Sequence, residues 1–295
     1  MAEALPHFEL TPELDARIAR AAGHLRRARH AVALTGAGLS VESGIPPFRG
    51  PGGLWTKYGE PPMDGYQRFV RDPVAAWQAR LNPEKEPWLQ GLHETLGRAK
   101  PNDGHRALAA LEADGVLACT ITQNVDDLHS LAGSRRVAEI HGNYKLLRCL
   151  ECVTRFAEGE IEIDPARLPP RCPRCGGLVK GDTVQFGEPI PADVLRRCFD
   201  EVARCDVMLV AGTSATVFPA ADLPLEVLRG GGTVIEVNPL PSELTRVASL
   251  ALQGPGGTVL TRLLDHVRSA ARSAAPGAAL ETPPRATRKG KGAFA

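Results

Sequence analysis

The chain predicts an α/β fold: a parallel sheet with helices on both faces, interrupted by a helical insertion and a small cysteine-bearing unit. Three observations carry this. Six short apolar runs, residues 31–34, 116–121, 137–140, 183–186, 207–210 and 234–237, each end abruptly in polar or glycine residues. Most are separated by enough chain for a crossover helix, so most can run parallel. Two Cys-x-x-Cys pairs fall within residues 144–181, where that rhythm breaks.

The elements follow in order. Residues 12–29 predict a helix, with Leu14, Ile18, Ala22 and Leu25 on one face. The buried run 31–34 comes next, and then residues 35–50, TGAGLSVESGIPPFRG. Glycines directly after a buried strand bring backbone N–H groups close to a ligand, and a helix starting there turns its positive end toward phosphate. A phosphorylated nucleotide is therefore the expected ligand. The spacing Gly36-x-Gly38, with Gly44 next, departs from the ordinary dinucleotide fingerprint, which wants glycine where Val41 stands. No Lys-Ser/Thr follows, which excludes the phosphate loop of triphosphatases. Residues 50–100, rich in Pro, Trp and Gly, predict a helical excursion holding Phe69, Val70, Trp77, Leu81, Trp88 and Leu92. Residues 102–114 predict a helix with Leu108 and Leu111 inward.

In open parallel sheets, ligands sit outside the carboxyl ends of the strands. Here those ends carry Gln123, Asn124 and Asp126; His141 and Gly142; Gly187 and Glu188; Gly212, Thr213 and Ser214; and Asn238 and Pro239. A polar turn follows any strand, but six such ends rich in amides, hydroxyls, a carboxylate and an imidazole predict a shared site.

The cysteine pairs, Cys149-x-x-Cys152 and Cys172-x-x-Cys175, are separated by nineteen residues. That spacing fits a four-thiolate Zn²⁺ site, with Gly176 and Gly177 easing the second knuckle. Four thiolates leave no open position, so such a metal is structural. A redox dithiol is the alternative for a single pair, and a nucleic-acid-binding zinc ribbon would show the same cysteines. An odd total of seven cysteines argues against a disulfide framework.

Length and charge set further bounds. With 295 residues and 43% hydrophobic content, the chain can bury a full core. A net charge of +1 offers no global field for nucleic acid. The opening residues lack the pattern of a signal peptide, and no apolar run approaches a membrane span, so a cytoplasmic protein is expected. Residues 269–295 read as a disordered basic tail, solvated rather than bound to nucleic acid.

Taken together, residues 35–50, the run from Thr122 to His129 (TQNVDDLH), His141-Gly142, Val184 to Glu188 (VQFGE), Gly212-Thr213-Ser214 and Asn238-Pro239 resemble the signatures of the sirtuins, in the family's order. The resemblance implies an NAD-binding Rossmann-like sheet, a zinc-ribbon small domain and a helical insertion. It implies an NAD-binding domain in three parts, 12–56, 101–143 and 182–268, with the insertion at 57–100 and the zinc unit at 144–181. The implied reaction removes acyl groups, acetyl first, from protein lysines. It forms an O-alkylimidate as nicotinamide leaves, and yields O-acyl-ADP-ribose and free lysine. Acidic-acyl removal, mono-ADP-ribosyl transfer and NAD hydrolysis are the alternatives.

The same resemblance implies His141 as general base, near the pH range an imidazole suits, with His129 in a positioning or packing role. Asn124 is implied to orient ribose and water, and Asp126 with Ile45 to hold the carboxamide. Phe48 is implied to shield the ribose, and Arg49 to sit near the phosphates. Gly36, Ala37, Gly38, Ser40, Gln123, Gly212, Thr213, Ser214, Asn238, Pro239 and Gly256 complete the NAD set. Val184, Phe186, Gly187 and Glu188 are implied to meet the acylated peptide. Trp77 and Arg80 stand where acidic-acyl sirtuins carry Tyr-x-x-Arg; a plain surface arginine is the alternative. Three positions depart from the family pattern: Pro47 for Asp, Asp127 for Gly and Ala215 for Leu.

Overall fold

The structure, a computed structural model, describes residues 8–50, 52–82, 87–157 and 159–274. It opens with α1 (Pro12–Arg27), β1 (Ala31–Thr35), α2 (Ala37–Ser40) and a 3-10 turn over Val41–Ser43. Four helices follow: α3 (Leu54–Tyr58), α4 (Gly65–Arg71), α5 (Pro73–Leu81) and α6 (Pro87–Arg98). Then come α7 (Asp103–Ala113), β2 (Leu117–Thr122), α8 (Leu128–Leu131) and β3 (Val137–Glu139). The cysteine unit contributes β4 (Leu147–Cys149), β5 (Arg155–Phe156) and β6 (Val179–Gly181). The chain returns with α9 (Ala192–Arg204), β7 (Val207–Ala211), α10 (Asp222–Arg229), β8 (Thr233–Asn238), β9 (Leu250–Gln253) and α11 (Gly256–Ala274).

Two sheets result. The larger is wholly parallel, in the order β3-β2-β1-β7-β8-β9. Its strands β1 and β7 are buried at every position, as expected for a sheet covered on both faces. One face packs Ile18 and Leu25 of α1, Leu108 of α7 and Leu260 of α11; the other packs Val202 of α9 and Leu223 of α10. Cys119, Cys198 and Cys205 lie in that second core, and burial pushes their thiols up to about 11, 12 and 12. The smaller sheet, β5-β4-β6, is antiparallel. Its core joins Phe69 and Trp77 of the helical excursion to Cys149 and Cys172.

Four expectations are corrected. Residues 183–186 are not a strand: the Val184 N–H donates to the His141 carbonyl (2.9 Å), and the Glu188 N–H closes a turn on Gln185. The sixth strand of the sheet is β9, whose apolar run is short. The first helix stops at Arg27 rather than Arg29, because the Arg29 and His30 N–H groups go to the Asp206 carboxylate. α11 continues to Ala274, so residues 269–274 are helical; the rest of the tail, 275–295, lies outside the described residues. No helix among the described residues is long and apolar enough to cross a membrane.

Candidate active site

The order of the large sheet reverses at β1: the chain goes first to β2 on one side and later to β7 on the other. That is a topological switch point, where a crevice opens at the carboxyl ends. Residues 36–40, 122–126 and 212–214 meet there. The Gly36 N–H donates to the Ala211 carbonyl (3.0 Å), and the Gly38 N–H to that of Gly212 (2.7 Å). A Cβ on Gly38 would stand 2.8 Å from the Gly212 oxygen, and one on Gly212 would stand 2.1 Å from the Leu39 nitrogen. Side chains are excluded because two backbones touch.

A hydrogen-bond network of mostly uncharged groups ties the cleft. Thr35 Oγ1 donates to Thr122 Oγ1 (2.9 Å) and lies 2.8 Å from His129 Nε2. Asn124 Nδ2 donates to the Gly36 carbonyl (3.1 Å) and to Ser40 Oγ (3.0 Å). Ser40 Oγ donates in turn to Asp126 Oδ2 (2.6 Å). Gln123 Nε2 donates to Thr213 Oγ1 (2.9 Å), and Asn238 Nδ2 to the Thr213 carbonyl (2.8 Å). Ile45 is buried beside this group, its N–H on the Ser40 carbonyl. Burial raises the Asp126 carboxyl above its ordinary value, against the Ser40 hydrogen bond.

His141 closes the site. Its Nδ1 lies 3.0 Å from the Gln123 carbonyl. A carbonyl only accepts, so Nδ1 carries the proton and Nε2 keeps its lone pair. Burial lowers the imidazole below its ordinary value, opposed by that bond. His129 differs. It is fully buried, edge-on to His105 at 4.9 Å, and burial drives the two imidazoles down to about 3 and about 4. Its Nε2 holds Thr35 Oγ1.

The family model for the Sir2 family matches residues 36–219. The chain belongs to the Sir2 family. NAD-dependent protein deacylase 1 of Archaeoglobus fulgidus is 46% identical over 247 residues, 83% of this chain and 96% of that protein. The NAD-dependent protein deacylase of Thermococcus kodakarensis is 44% identical over 255 residues, covering 85% and 96%. Among solved structures, a Sir2 homolog–NAD complex is 43% identical with a TM-score of 0.71, covering 90% of this chain and 97% of that one. A Sir2–p53 peptide–NAD⁺ complex is 35% identical with a TM-score of 0.66, covering 82% and 95%.

The sirtuin's four cysteines are brought together as their spacing implied. Their sulfurs all lie within 4.8 Å of one another, with Cys149–Cys175 at 3.5 Å and Cys152–Cys172 at 3.7 Å. A tetrahedron of ~2.3 Å zinc–sulfur bonds needs sulfurs about 3.8 Å apart. The set fits a structural zinc.

The remaining expected residues divide. Phe48 is 42% exposed, its ring 5.3 Å from Trp55, which lies 5.7 Å from Phe186. The Arg49 guanidinium stacks on Trp55 at 4.2 Å and donates to Thr216. Pro47 contributes its carbonyl to the Leu54 N–H, so the loop closes without an acidic side chain there. Asp127 adopts φ 64° and Ala215 φ 55°, left-handed conformations; an Asp side chain tolerates the first. Ser214 and Pro239 are exposed at the rim. Gly256 opens α11 where a Cβ would meet Leu39 at 3.0 Å.

Three substrate-side residues are held by contacts within the fold. Trp77 is 1% exposed and donates Nε1–H to the Val179 carbonyl (2.9 Å), so it anchors α5 on β6. Arg80 lies over that ring, and a Cβ on Gly181 would stand 2.8 Å from its Nη1. Glu188 turns inward to Lys180 (3.0 Å), and the Lys180 ammonium also donates to the Gly181 and Thr183 carbonyls. Thus Glu188 pins the loop that carries Val184, Phe186 and Gly187.

Sequence reasoning missed Trp55, Asn102, Lys180, Asp182 and Arg155. Asn102 caps α7 and donates Nδ2–H to the Leu39 carbonyl (2.7 Å), bracing α2 from behind. Its Asn-x-x-His capping box was the available signal. The charged residues carried none, because their partners are distant in sequence.

Proposed function

We propose that this sirtuin is an NAD-dependent protein deacylase that removes acyl groups, acetyl first among them, from lysine side chains. NAD supplies an electrophilic ribose carbon as nicotinamide departs. Gly36, Ala37 and Gly38 allow close backbone approach to the phosphates. Ser40, Ile45, Asn124 and Asp126 form the inner pocket, where a hydroxyl, an amide and a carboxylate can meet both faces of a carboxamide. Gln123, Gly212, Thr213, Ser214, Asn238, Pro239 and Gly256 line the nucleotide's path. Phe48 and Arg49 cover the reacting ribose from the aromatic side.

The observation that carries this reading is His141 Nδ1 committed to the Gln123 carbonyl. It leaves Nε2 as the acceptor for a ribose hydroxyl proton, at the mouth of the cleft. The Val184 N–H sits on the His141 carbonyl, and the loop from Val184 to Gly187 is the backbone against which an acyl-lysine peptide would lie.

The test is product analysis. The protein is incubated with NAD and acetyl-, succinyl- or longer-acyl-lysine peptides, and products are read by mass spectrometry. O-acyl-ADP-ribose with deacylated peptide is the expected result. Nicotinamide release without acyl loss would replace this reading by NAD hydrolysis or ADP-ribosyl transfer.

A further inference from the structure

We infer that Arg155, acting through Glu139 and Asp182, is a positioning residue for His141; the inference rests on His141 being the base. His141 is the third residue of a tight turn. The Gly142 N–H donates to the Glu139 carbonyl at 3.0 Å, and Gly142 holds φ 80°. One ring nitrogen is anchored on Gln123, so the placement of the turn decides where Nε2 points.

Both flanks of that turn are gripped by side chains. Ahead of it, Glu139 Oε2 pairs with Arg155 Nη1 at 2.8 Å. Behind it, the Asn143 N–H donates to Asp182 Oδ2 (2.8 Å), and Asn143 Nδ2 donates to Glu139 Oε1 (2.6 Å). Arg155 closes the ring: its Nη2 lies 2.8 Å from Asp182 Oδ2, and its Nε donates to Oδ1 at 3.2 Å. Arg148 Nε donates to the same Oδ1. Asp182 also meets the turn through its backbone, since a Cβ on Gly142 would stand 2.2 Å from the Asp182 carbonyl oxygen.

Asp182 is 1% exposed. In such surroundings each charge needs all its partners, so the arrangement admits little slack. Arg148 and Arg155 come from β4 and β5, strands of the cysteine unit. That unit thereby aims the base while touching no reactant. Arg155 is the member to change, because its side chain keeps 32% exposure whereas that of Arg148 keeps 4%.

The test compares two reactions of the full-length, zinc-loaded enzyme. Exchange of labelled nicotinamide into NAD needs the acyl-lysine and nicotinamide departure, but not the later proton transfer to His141. Deacylation needs all three. Arg155→Met should lower deacylation kcat about 10- to 100-fold, the scale of a misplaced catalytic group. Exchange and the KM for NAD should stay within about twofold, and Arg155→Lys should recover most of the deacylation. Wild-type kcat in Arg155→Met overturns the inference, as does an equal loss of exchange and deacylation in a folded variant. Should Arg155→Met fail to fold, Glu139→Gln decides in the same way: it keeps an acceptor for Asn143 and removes the charge Arg155 pairs with. His141→Ala run beside them separates the two levels. If it deacylates normally, the assignment of the base fails and this inference with it; if it is dead while Arg155→Met and Glu139→Gln work normally, only the positioning role fails.

Discussion

The side of the cleft proposed for the nucleotide is tied mostly by uncharged groups, whereas the side proposed for the peptide is tied by ion pairs. On the first side, Thr35, Thr122, Ser40, Asn124, Gln123 and Thr213 exchange neutral hydrogen bonds, and Asp126 is the one carboxylate among them. On the second, Arg148, Arg155, Asp182 and Glu139 form one charged group, Lys180 and Glu188 another, and four cysteines supply a metal-ligand set. The difference follows from what each side stands on. The nucleotide side rests on a six-stranded sheet with a core on both faces. The peptide side rests on three short strands, too small to bury a core of their own. Metal and charge pairs replace the missing apolar area there.

The largest test of that contrast is metal removal. Chelation, or Cys172→Ala, should melt the β4–β5–β6 unit, since structural zinc contributes about 10–16 kcal/mol to folding. Hydrogen exchange should show protection lost in residues 147–181 and kept in β1, β7 and β8. Uniform loss across both sheets would erase the distinction. Next comes His141→Ala, expected to reduce deacylation about 10²–10⁴-fold. The wild-type kcat/KM should also fall with acid only below pH 6.5, because burial depresses the His141 pKa of the free enzyme and the neutral base is lost only when pH drops through that lowered value. An acid limb centred above 6.5 would contradict this.

Lys180→Met leaves the Glu188 carboxylate buried without its cation and should destabilise by about 3–5 kcal/mol. The peptide KM should rise while NAD binding is kept, because the pair holds the 183–188 loop and not the glycine turn. Isothermal titration with NAD and with peptide separates the two. The smallest effect belongs to His105. It is neutral in the fold, with a pKa of about 4, so the unfolded chain takes up its proton first as pH falls from 6.5. Stability therefore declines between pH 6.5 and about 4. His105→Gln keeps the capping box on Asn102 and should lessen that decline, His129 supplying the remainder, as read by urea unfolding at each pH.

Much of the nucleotide side was legible in the chain. β1 and its glycines are contiguous, and the TQNVDDLH run announces the end of β2. The peptide side was legible only in its cysteines. Residues 183–186 look like a strand by their alternation, yet the backbone N–H of Val184 goes to His141. Trp77 and Arg80 look like a surface pair, yet the indole is sealed against Val179. Glu188 is expected at the peptide, yet its side chain is 5% exposed and turns inward to Lys180, itself 2% exposed.

The sequence by itself determined the family, the parallel sheet, the zinc ligands and the residues that gather at the strand ends. Periodicity, glycine placement and cysteine spacing are local, and a local pattern survives being read along a line. The tertiary structure decided which histidine faces the cleft, which charges are buried and what holds His141 in place. Those depend on pairs such as Arg155 with Glu139 and Thr35 with His129, whose members are far apart in the chain and meet only when the two sheets and their loops close together.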